Sequence, residues 1–474
     1  MAPSKRFRLE TYMIAVILGT LDVAILTPGL GPIMEEHGLA IHWAVWAISL
    51  PLLFFSMALP VFEGWADQYG RTRVFVVSLI LFAAGTLVAA LSGEWVWLVW
   101  GRVVQATGAG GLVPLVALRV KRLFVLRHAS GRLRAYALFM FGAAAFPFLS
   151  TALVHLLGWR GLFLLHLFLA LRMMLRAGKW LGSDRPRKSG VTGGESVFFF
   201  GLSVLFLMTA VTGTDLLGGW SAFLKPEVLP LWIMGIGMVI PLWMVEQRGE
   251  RTLFAEHLFS ARRLWLFHLQ AALAGFVWMA LVLVPGWVSR LYGLPDYWNG
   301  LLLGCILFCS AVSVPGVMRI SKRWSFRTVT SWGFLLSSAA YFALALTNGN
   351  PWLFVALGIL GGSLSFTLTA PVHKVLFDLL PHRRIRGTLT VLGMFRTAGG
   401  ALGLIVMARL FSSLSPELDH WFSLPVGSLI QTAQENVFVL CGFFSLVGWL
   451  ISQAIPGTAC DPSPKGISRR KAME

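Results

Sequence analysis

The chain has 474 residues, of which 57% are hydrophobic and only 13% are charged, and it carries a formal net charge of +18. A soluble globular chain has about 45–50% apolar and about 25% charged residues. The composition therefore excludes an ordinary cytosolic enzyme, a disordered chain and a free nucleic-acid binder. From composition alone, the excess of positive charge has two explanations, an acidic partner or a membrane topology.

Fourteen apolar stretches approach the length of about 20 residues that a helix needs to cross a bilayer. In chain order the predicted spans are 11–33, 43–63, 74–92, 95–118, 134–156, 160–177, 196–215, 228–245, 265–288, 298–318, 328–347, 351–372, 387–411 and 435–455. We interpret the first of them as a span rather than a cleaved leader, because its apolar run is long and no small-residue cleavage site is evident.

The cations predict the orientation of these spans. If the spans alternate in direction, 33 of the 39 Lys and Arg residues fall on one side, and the positive-inside rule makes that side the cytoplasm. Both termini are then predicted to be cytoplasmic. The net charge mostly reflects topology, together with attraction to anionic membrane lipids. We expect a multi-pass protein of a bacterial inner membrane.

The predicted spans fall into groups of six, two and six. A segment rich in Gly, Ser and cations at 171–196 interrupts the apolar pattern after the sixth span, and a charged stretch at 245–263 follows the eighth. The predicted fold class is an all-α membrane protein with 14 transmembrane helices arranged 6+2+6. Its predicted units are an N-terminal six-helix bundle (1–177), a linker with two extra helices (178–263), a C-terminal six-helix bundle (264–455) and a cytoplasmic tail (456–474).

A few charged or polar side chains lie inside the predicted spans: Asp22 in the first, Arg102 and Gln105 in the fourth, and Arg396 in the thirteenth. A charge at mid-membrane costs roughly 2.5–3.5 kcal/mol on insertion scales and usually serves a function. A carboxylate in a low-dielectric cavity can exchange a proton near neutral pH. Asp22 and Arg102 are therefore the proton-coupling candidates, and a permanent ion pair between them is the alternative.

Arg396 and Gln105 are candidates for a substrate cavity. For Arg396 the alternative is a side chain that reaches back to the basic inner loop. A third polar feature is the short cytoplasmic turn GWADQYGRTR (64–73). This turn brings the inner ends of two helices together, so we expect a cytoplasmic gate made of Gly64, Asp67, Gly70, Arg71 and Arg73. A capped turn without a gating role is the simpler alternative.

These segments resemble the major facilitator superfamily, in particular its fourteen-span drug:proton antiporter group. GWADQYGRTR is similar to the loop signature of that superfamily, although the spacing before the acid is one residue shorter. LVWGRVVQATGAGG, LDVAILTPGLGPI and GWRGLFLLH are similar to the signatures of spans four, one and six. The resemblance implies that Asp67 with Arg71 and Arg73 forms the gate, that Arg102 assists proton movement and that Asp22 is protonated.

The chain also departs from that group. The antiporter signature of span five is eroded to GAAAFPFLST (142–151), in which Pro147 remains and is a further candidate for the cavity. Phe, Ser and Thr replace glycines that would allow helices to approach closely. The turn in the second half, GVMRISKRWSFRT, lacks the acid. The chain is identified as a divergent member.

The leading hypothesis is a proton-coupled secondary transporter that exports hydrophobic or amphipathic compounds, including cationic ones, by alternating access. Its expected partners are a small lipophilic substrate, protons and membrane lipids, without nucleic acid. The alternatives are a transporter of lipid or lipid-like solutes and an inner-membrane subunit of an export assembly with a periplasmic adaptor. No P-loop, metal-ligand spacing or nucleophile–base pair is evident, so we expect no cofactor, no metal and no enzyme activity.

Overall fold

The computed structural model describes Ile14, Leu18 and Val23 and the ranges 26–125, 145–177, 193–248, 262–295, 298–321, 323–346, 352–374, 385–414 and 428–455. Within these residues every regular element is a helix and there is no strand. Nine helical stretches in the same residues are long and apolar enough to cross a membrane. The all-helical membrane fold is therefore confirmed.

We name the helices by the predicted units, 1–177 as the first half, 178–263 as the extra segment and 264–455 as the second half. The first half holds α1 (Leu30–His37), α2 (Ile41–Ala44), α3 (Trp46–Tyr69), α4 (Arg71–Leu91), α5 (Trp95–Val125), α6 (Ala145–Leu157) and α7 (Arg160–Ala177). The extra segment holds α8 (Gly194–Gly213), α9 (Trp220–Phe223), α10 (Leu229–Gly237) and α11 (Val239–Arg248). The second half holds α12 (Arg262–Trp278), α13 (Val284–Leu291), α14 (Trp298–Ile320), α15 (Phe326–Leu346), α16 (Trp352–Lys374), α17 (Ile385–Leu414) and α18 (Ser428–Ala454).

Most predicted spans coincide with these helices, but several of them are broken. The span 11–33 contains a 3-10 turn at Thr27–Gly29, and the span 43–63 is divided at Val45. The predicted span 228–245 is divided at Met238, and Pro241 follows three residues later. The predicted span 265–288 is divided by a 3-10 turn at Met279–Val282, just before Pro285. Proline lacks the amide that would continue the helical hydrogen bonds. The fourteen-span count, the 6+2+6 order, the unit boundaries and the sidedness remain predictions.

Glycines let α4 and α5 approach closely in the first half. A Cβ on Gly85 would lie 2.2 Å from the backbone N of Gln105, and a Cβ on Gly108 would lie 2.4 Å from the backbone N of Phe82. A third glycine, Gly111, would meet the side chain of Ser78 at 2.2 Å. The Gly-rich stretch after Arg102 therefore serves helix packing, and this packing fixes Arg102 and Gln105 inside the bundle.

Candidate functional site

Arg102 is the most deeply buried charged residue in the described part of the first half, with 1% of its surface exposed. Its Nε donates to the backbone oxygen of Ala47 in α3 at 3.2 Å, and its Nη1 donates to Oε1 of Gln105 at 2.8 Å. Its guanidinium carbon lies 5.9 Å from the ring centre of Phe163 in α7. The cation is therefore held by three helices of one half, as a fixed source of positive potential.

Gln105 and Asp22 are the other two residues predicted to lie near Arg102, and the structure describes only Gln105. Gln105 is 0% exposed, and its amide nitrogen has no hydrogen-bond partner among the residues that the structure describes. A buried donor without an acceptor is costly, so this amide is suited to a protonatable acceptor or a water. Asp22 lies outside the described residues, so its pairing with Arg102 stays a prediction.

The predicted gate residues lie around a one-residue junction between α3 and α4. Gly70 has φ +93° and ψ 142°, a conformation that strongly favours glycine, and it is the single residue between the two helices. Asp67 Oδ1 and Arg71 Nη2 are 3.9 Å apart, each side chain being a little over a quarter exposed. Gly64 is buried and Arg73 is exposed. The turn lies where it was predicted but is shorter than the segment 64–73, since Gly64 and Asp67 belong to α3 and Arg71 and Arg73 to α4. Its gating role stays a prediction. Below, the end of the bundle that holds this turn is called the inner end, and the end that holds α1 is called the outer end.

One hydrogen bond joins the two halves close to this turn. Thr390 in α17 donates through Oγ1 to Oε2 of Glu63 in α3. One turn further into the membrane, a Cβ on Gly393 would contact Leu59 at 3.2 Å. The inner ends of α3 and α17 are therefore held together by the Thr390–Glu63 hydrogen bond and by the packing of Leu59 on Gly393. Neither Glu63 nor Thr390 was predicted from the sequence.

A second hydrogen bond joins the halves at the outer end of α17, through the short helix α2 that precedes α3. Nδ1 of His42 in α2 and Oγ of Ser412 in α17 are hydrogen bonded at 2.9 Å. The helix pair is thus tied at both ends, and alternating access requires the two ends to part in turn. His42 and Ser412 also lack a local sequence signal, because they are separated by 370 positions.

The third contact between the halves involves Pro147 of the eroded span-five motif. Ser150 and Thr151 donate to the Pro147 carbonyl at 2.7 and 3.0 Å. A Cβ on Gly300 in α14 would lie 1.9 Å from Thr151 Oγ1 and 2.3 Å from the Pro147 oxygen. The close approach that the missing glycines would allow is therefore provided by a glycine on the opposite helix.

The extra helix α8 contacts both halves along the α3–α17 pair. At the outer end Trp46 Nε1 donates to Thr212 Oγ1 at 3.2 Å, and Arg409 Nε donates to the Thr214 oxygen at 2.9 Å. Towards the inner end, Phe200 packs on Phe395 with ring centres 5.3 Å apart. Helix α8 therefore covers the side of the α3–α17 pair on which it packs.

Proline-containing stretches of the two halves face each other across a small cleft. Thr27–Gly29 with Pro32 lines one wall, and Leu283 with Pro285 and Gly286 lines the other. Asn299 and Glu35 are also at this cleft. Its volume of about 20 Å³ suits one water molecule, whereas drug-sized ligands need about 300–1,000 Å³. The proline-containing stretch 283–286 of the second half is the counterpart of TPGLGP (27–32) in the first half. It was not predicted from the sequence.

An ion pair closes the outer end of the first half. Arg160 donates from Nη2 to Glu36 Oε1 at 2.7 Å and from Nη1 to Oε2 at 3.0 Å. Trp159 Nε1 donates to the same carboxylate at 2.6 Å, and Arg160 Nη2 also donates to the Ser92 oxygen at 2.9 Å. The hydrogen bond from Arg160 is the main cause that lowers the pKa of Glu36 below its usual value, against the opposing effect of desolvation.

The lowered pKa of Glu36 gives a prediction about acid stability. Because the folded protein holds this carboxylate charged, its contribution is complete above the ordinary pKa of about 4.3 and is lost as pH falls through the lower folded value. The two side chains are about 40% exposed, so the contribution is at most roughly 1 kcal/mol. We expect Glu36→Gln to lower the unfolding temperature slightly at pH 7 and to flatten its decline below pH 5 in detergent. Glu94→Gln, at an exposed outer carboxylate, is the control, and identical pH profiles for Glu36→Gln and wild type would refute the prediction.

Comparison with known proteins identifies the family. The profile of the Major Facilitator Superfamily matches residues 12–404. Multidrug resistance protein 3 of Bacillus subtilis (strain 168) is 24% identical over 453 residues, covering 92% of this chain and 85% of that protein. The methyl viologen resistance protein SmvA of Salmonella typhimurium (strain LT2) is 23% identical over 425 residues, covering 86% and 83%.

Solved structures show the same fold at lower identity. A peptide transporter POT in complex with sulfate superposes with a TM-score of 0.62 at 18% identity, covering 94% of each chain. A bacterial homologue of the human lysosomal transporter Spinster, inward-facing and occupied, gives 0.60 at 16% identity, covering 96% of this chain and 97% of that one. The family profile and the apolar helices point to a multi-pass membrane transporter rather than an enzyme. The chain belongs to the Major Facilitator Superfamily.

Proposed function

We propose that the chain is a proton-coupled secondary transporter that exports hydrophobic or amphipathic compounds across a bacterial inner membrane by alternating access. The observation that carries the proposal is the interface between the halves. It closes through separate contacts at its inner and outer ends, Glu63–Thr390 and His42–Ser412. Two ends that can part independently are what alternating access requires. The names of the multidrug and methyl viologen resistance relatives support an export function.

Proton coupling rests on Asp22 and the Arg102 cluster. The guanidinium of Arg102 favours the ionised form of a nearby acid and stabilises it after proton release. We propose that protonation of Asp22 favours one facing state and deprotonation the other, while the Asp67 turn and the Glu63–Thr390 contact hold the inner end closed. Gln105, Arg396 and Pro147 are proposed to border the substrate path.

Replacing Asp22 tests this proposal directly. In proteoliposomes with an imposed pH gradient, we expect wild type to move lipophilic probes in a gradient-dependent manner and Asp22→Asn to lose this dependence. Glu195→Gln, an exposed carboxylate at the start of α8, should retain it. Gradient-driven transport at wild-type rate by Asp22→Asn would contradict the assigned role.

Transport of a lipid or lipid-like solute is the second candidate, and one feature favours it. The outer ends of the halves meet around a cavity of about 10 Å³, which must widen to admit a lipid chain and is lined only by apolar or aromatic side chains: Ile41, Ala280, Leu283, Trp287, Phe411, Val437 and Phe438. A fluorescent phospholipid in the same proteoliposome assay distinguishes the candidates, because lipid movement without export of small lipophiles would favour the second.

A further inference from the structure

The membrane-spanning part of the second half has an unusual charge composition. The helices α12 to α17 and the turns at 279–291 contain no Asp or Glu, and in α18 the only acid is Glu435 near the outer end. Arg396 and Arg409 are nevertheless present in α17. Arg409 is bonded to the Thr214 oxygen at the outer end, which leaves Arg396 as the charge at mid-helix.

Arg396 lies deep in the membrane. It is the twelfth of the 30 residues of α17, three turns from the inner end, or about 16 Å at 1.5 Å per residue. A bilayer core is about 30 Å thick, so this position is close to its middle. An arginine at such a depth is costly unless it faces a cavity or a partner. The snorkelling alternative would require the side chain to span three helical turns.

The packing of α17 places Arg396 at the boundary between the halves. Gly393 contacts Leu59 of α3 in the first half, and Gly399 contacts Ala272 of α12 in the second half. At 3.6 residues per turn, Arg396 lies midway between these two glycines, about 60° from each around the helix axis. Its side chain therefore starts from the strip of α17 that faces the gap between α3 and α12.

The guanidinium of Arg396 is held inside the protein without a polar partner, as far as the described residues show. Most of the surface of this residue is covered, and no hydrogen bond or ion pair joins it to another described residue. Arg102 differs, because it is bonded to Ala47 and Gln105. A planar, permanently charged group at mid-membrane is suited to bind a carboxylate, sulfonate or phosphate in a bidentate manner.

We infer that Arg396 binds the anionic group of the transported amphipath, so that the substrates carry a negative head rather than a cationic one. The inference rests on the proposed transport function and narrows its substrate class. The aromatic and apolar walls nearby, including Phe395 and Leu59, would contact the lipophilic part of such a compound. A lipophilic cation would meet an arginine without a neutralising acid in the helices α12 to α17.

Binding of three pyrene probes with one scaffold tests the inference. They are 1-pyrenebutyrate, 1-pyrenemethanol and pyrenylmethyl-trimethylammonium, and energy transfer from the protein's tryptophans reports binding to the full-length chain in nanodiscs. We expect wild type to prefer the anion and Arg396→Gln to bind it roughly 10- to 100-fold more weakly. Arg396→Lys should retain part of the affinity. Arg409→Gln, at the outer end of the same helix, should stay within about twofold of wild type.

Two results would overturn the inference. One is equal or tighter binding of the cationic probe with no effect of Arg396→Gln on the anion. The other is full repair of the Arg396→Gln defect by Asp22→Asn, because repair would show that Arg396 only neutralises that acid. Gel filtration and the unfolding temperature of each variant separate a lost site from a lost fold.

The same probes distinguish failure of the inference from failure of the proposed function. Movement of any probe that requires both the imposed pH gradient and the protein, measured above protein-free liposomes, supports proton-coupled transport. If the cation alone is moved in this way, the function stands and the inference fails. If the anion binds through Arg396 but no probe responds to the gradient, the inference stands and proton coupling fails.

Discussion

Replacing Arg102 by methionine is expected to abolish gradient-driven transport and to destabilise the first half. The guanidinium is almost completely buried, and its removal leaves the Ala47 oxygen and the Gln105 amide oxygen without this donor. Each unsatisfied buried acceptor costs about 1–3 kcal/mol. Loss of the fixed cation also removes the positive potential that we propose stabilises the ionised form of Asp22.

Lysine at the same position separates the structural effect from the electrostatic one. Arg102→Lys keeps the charge but cannot reproduce the fixed geometry of Nε and Nη1 donors. We expect this variant to fold and to transport at least about tenfold more slowly, which corresponds to about 1.4 kcal/mol. Initial rates in proteoliposomes and the unfolding temperature in detergent are the measurements.

Arg172→Met, at an exposed arginine of α7, is the control for both Arg102 variants and should behave as wild type. Wild-type transport by Arg102→Met would show that the Arg102 cluster serves only packing. A defect in Arg172→Met of equal size would show that any lost arginine impairs the chain.

Local patterns in the sequence were sufficient to predict most helices and the inner turn. The predicted span 160–177 coincides with α7, because hydropathy and the WR segment mark its start. The position of Gly70 between two apolar runs predicted the turn, since only glycine readily adopts its backbone conformation. Broken helices were harder to predict, because a proline inside an apolar run either bends a helix or ends it.

Contacts between the halves were beyond the reach of one sequence. Glu63 and Thr390 are 327 positions apart, and each looks like an ordinary residue near the end of a span. Glu63 was not singled out because it is the last residue of the predicted span 43–63 and directly precedes the turn motif at 64–73. Pairing two such positions requires the packing of α3 against α17, which no hydropathy pattern contains.

The span-five motif shows how a local departure can mislead. Replacement of its glycines by Ser150 and Thr151 suggested that close helix packing was lost. In the structure the glycine at this contact is Gly300 of α14, opposite Thr151 of α6. The two helices therefore still approach closely, with the glycine on α14 instead of α6. The eroded motif is therefore no argument against movement of α6 relative to α14.

Gly300→Val is accordingly expected to force the halves apart at the outer end and to stop transport. The new Cβ would meet the Pro147 oxygen, a backbone atom that cannot rotate away. Overpacking of this kind costs typically about 1–3 kcal/mol. This overpacking destabilises only the state that is closed at the outer end. A cost near 3 kcal/mol shifts the equilibrium between the closed and open states by about 100-fold towards the open state.

Distances between spin labels at Leu156 and Leu346 measure this shift, because both side chains are exposed near the predicted outer ends of α6 and α15. The native cysteines are first replaced by serine. Gly316→Val is the matched control, since a Cβ there has open space in the same helix α14. A longer inter-label distance in Gly300→Val, but not in Gly316→Val, is the expected result. Unchanged distances together with wild-type transport would show that the α6–α14 contact at Gly300 is not part of the outer closure.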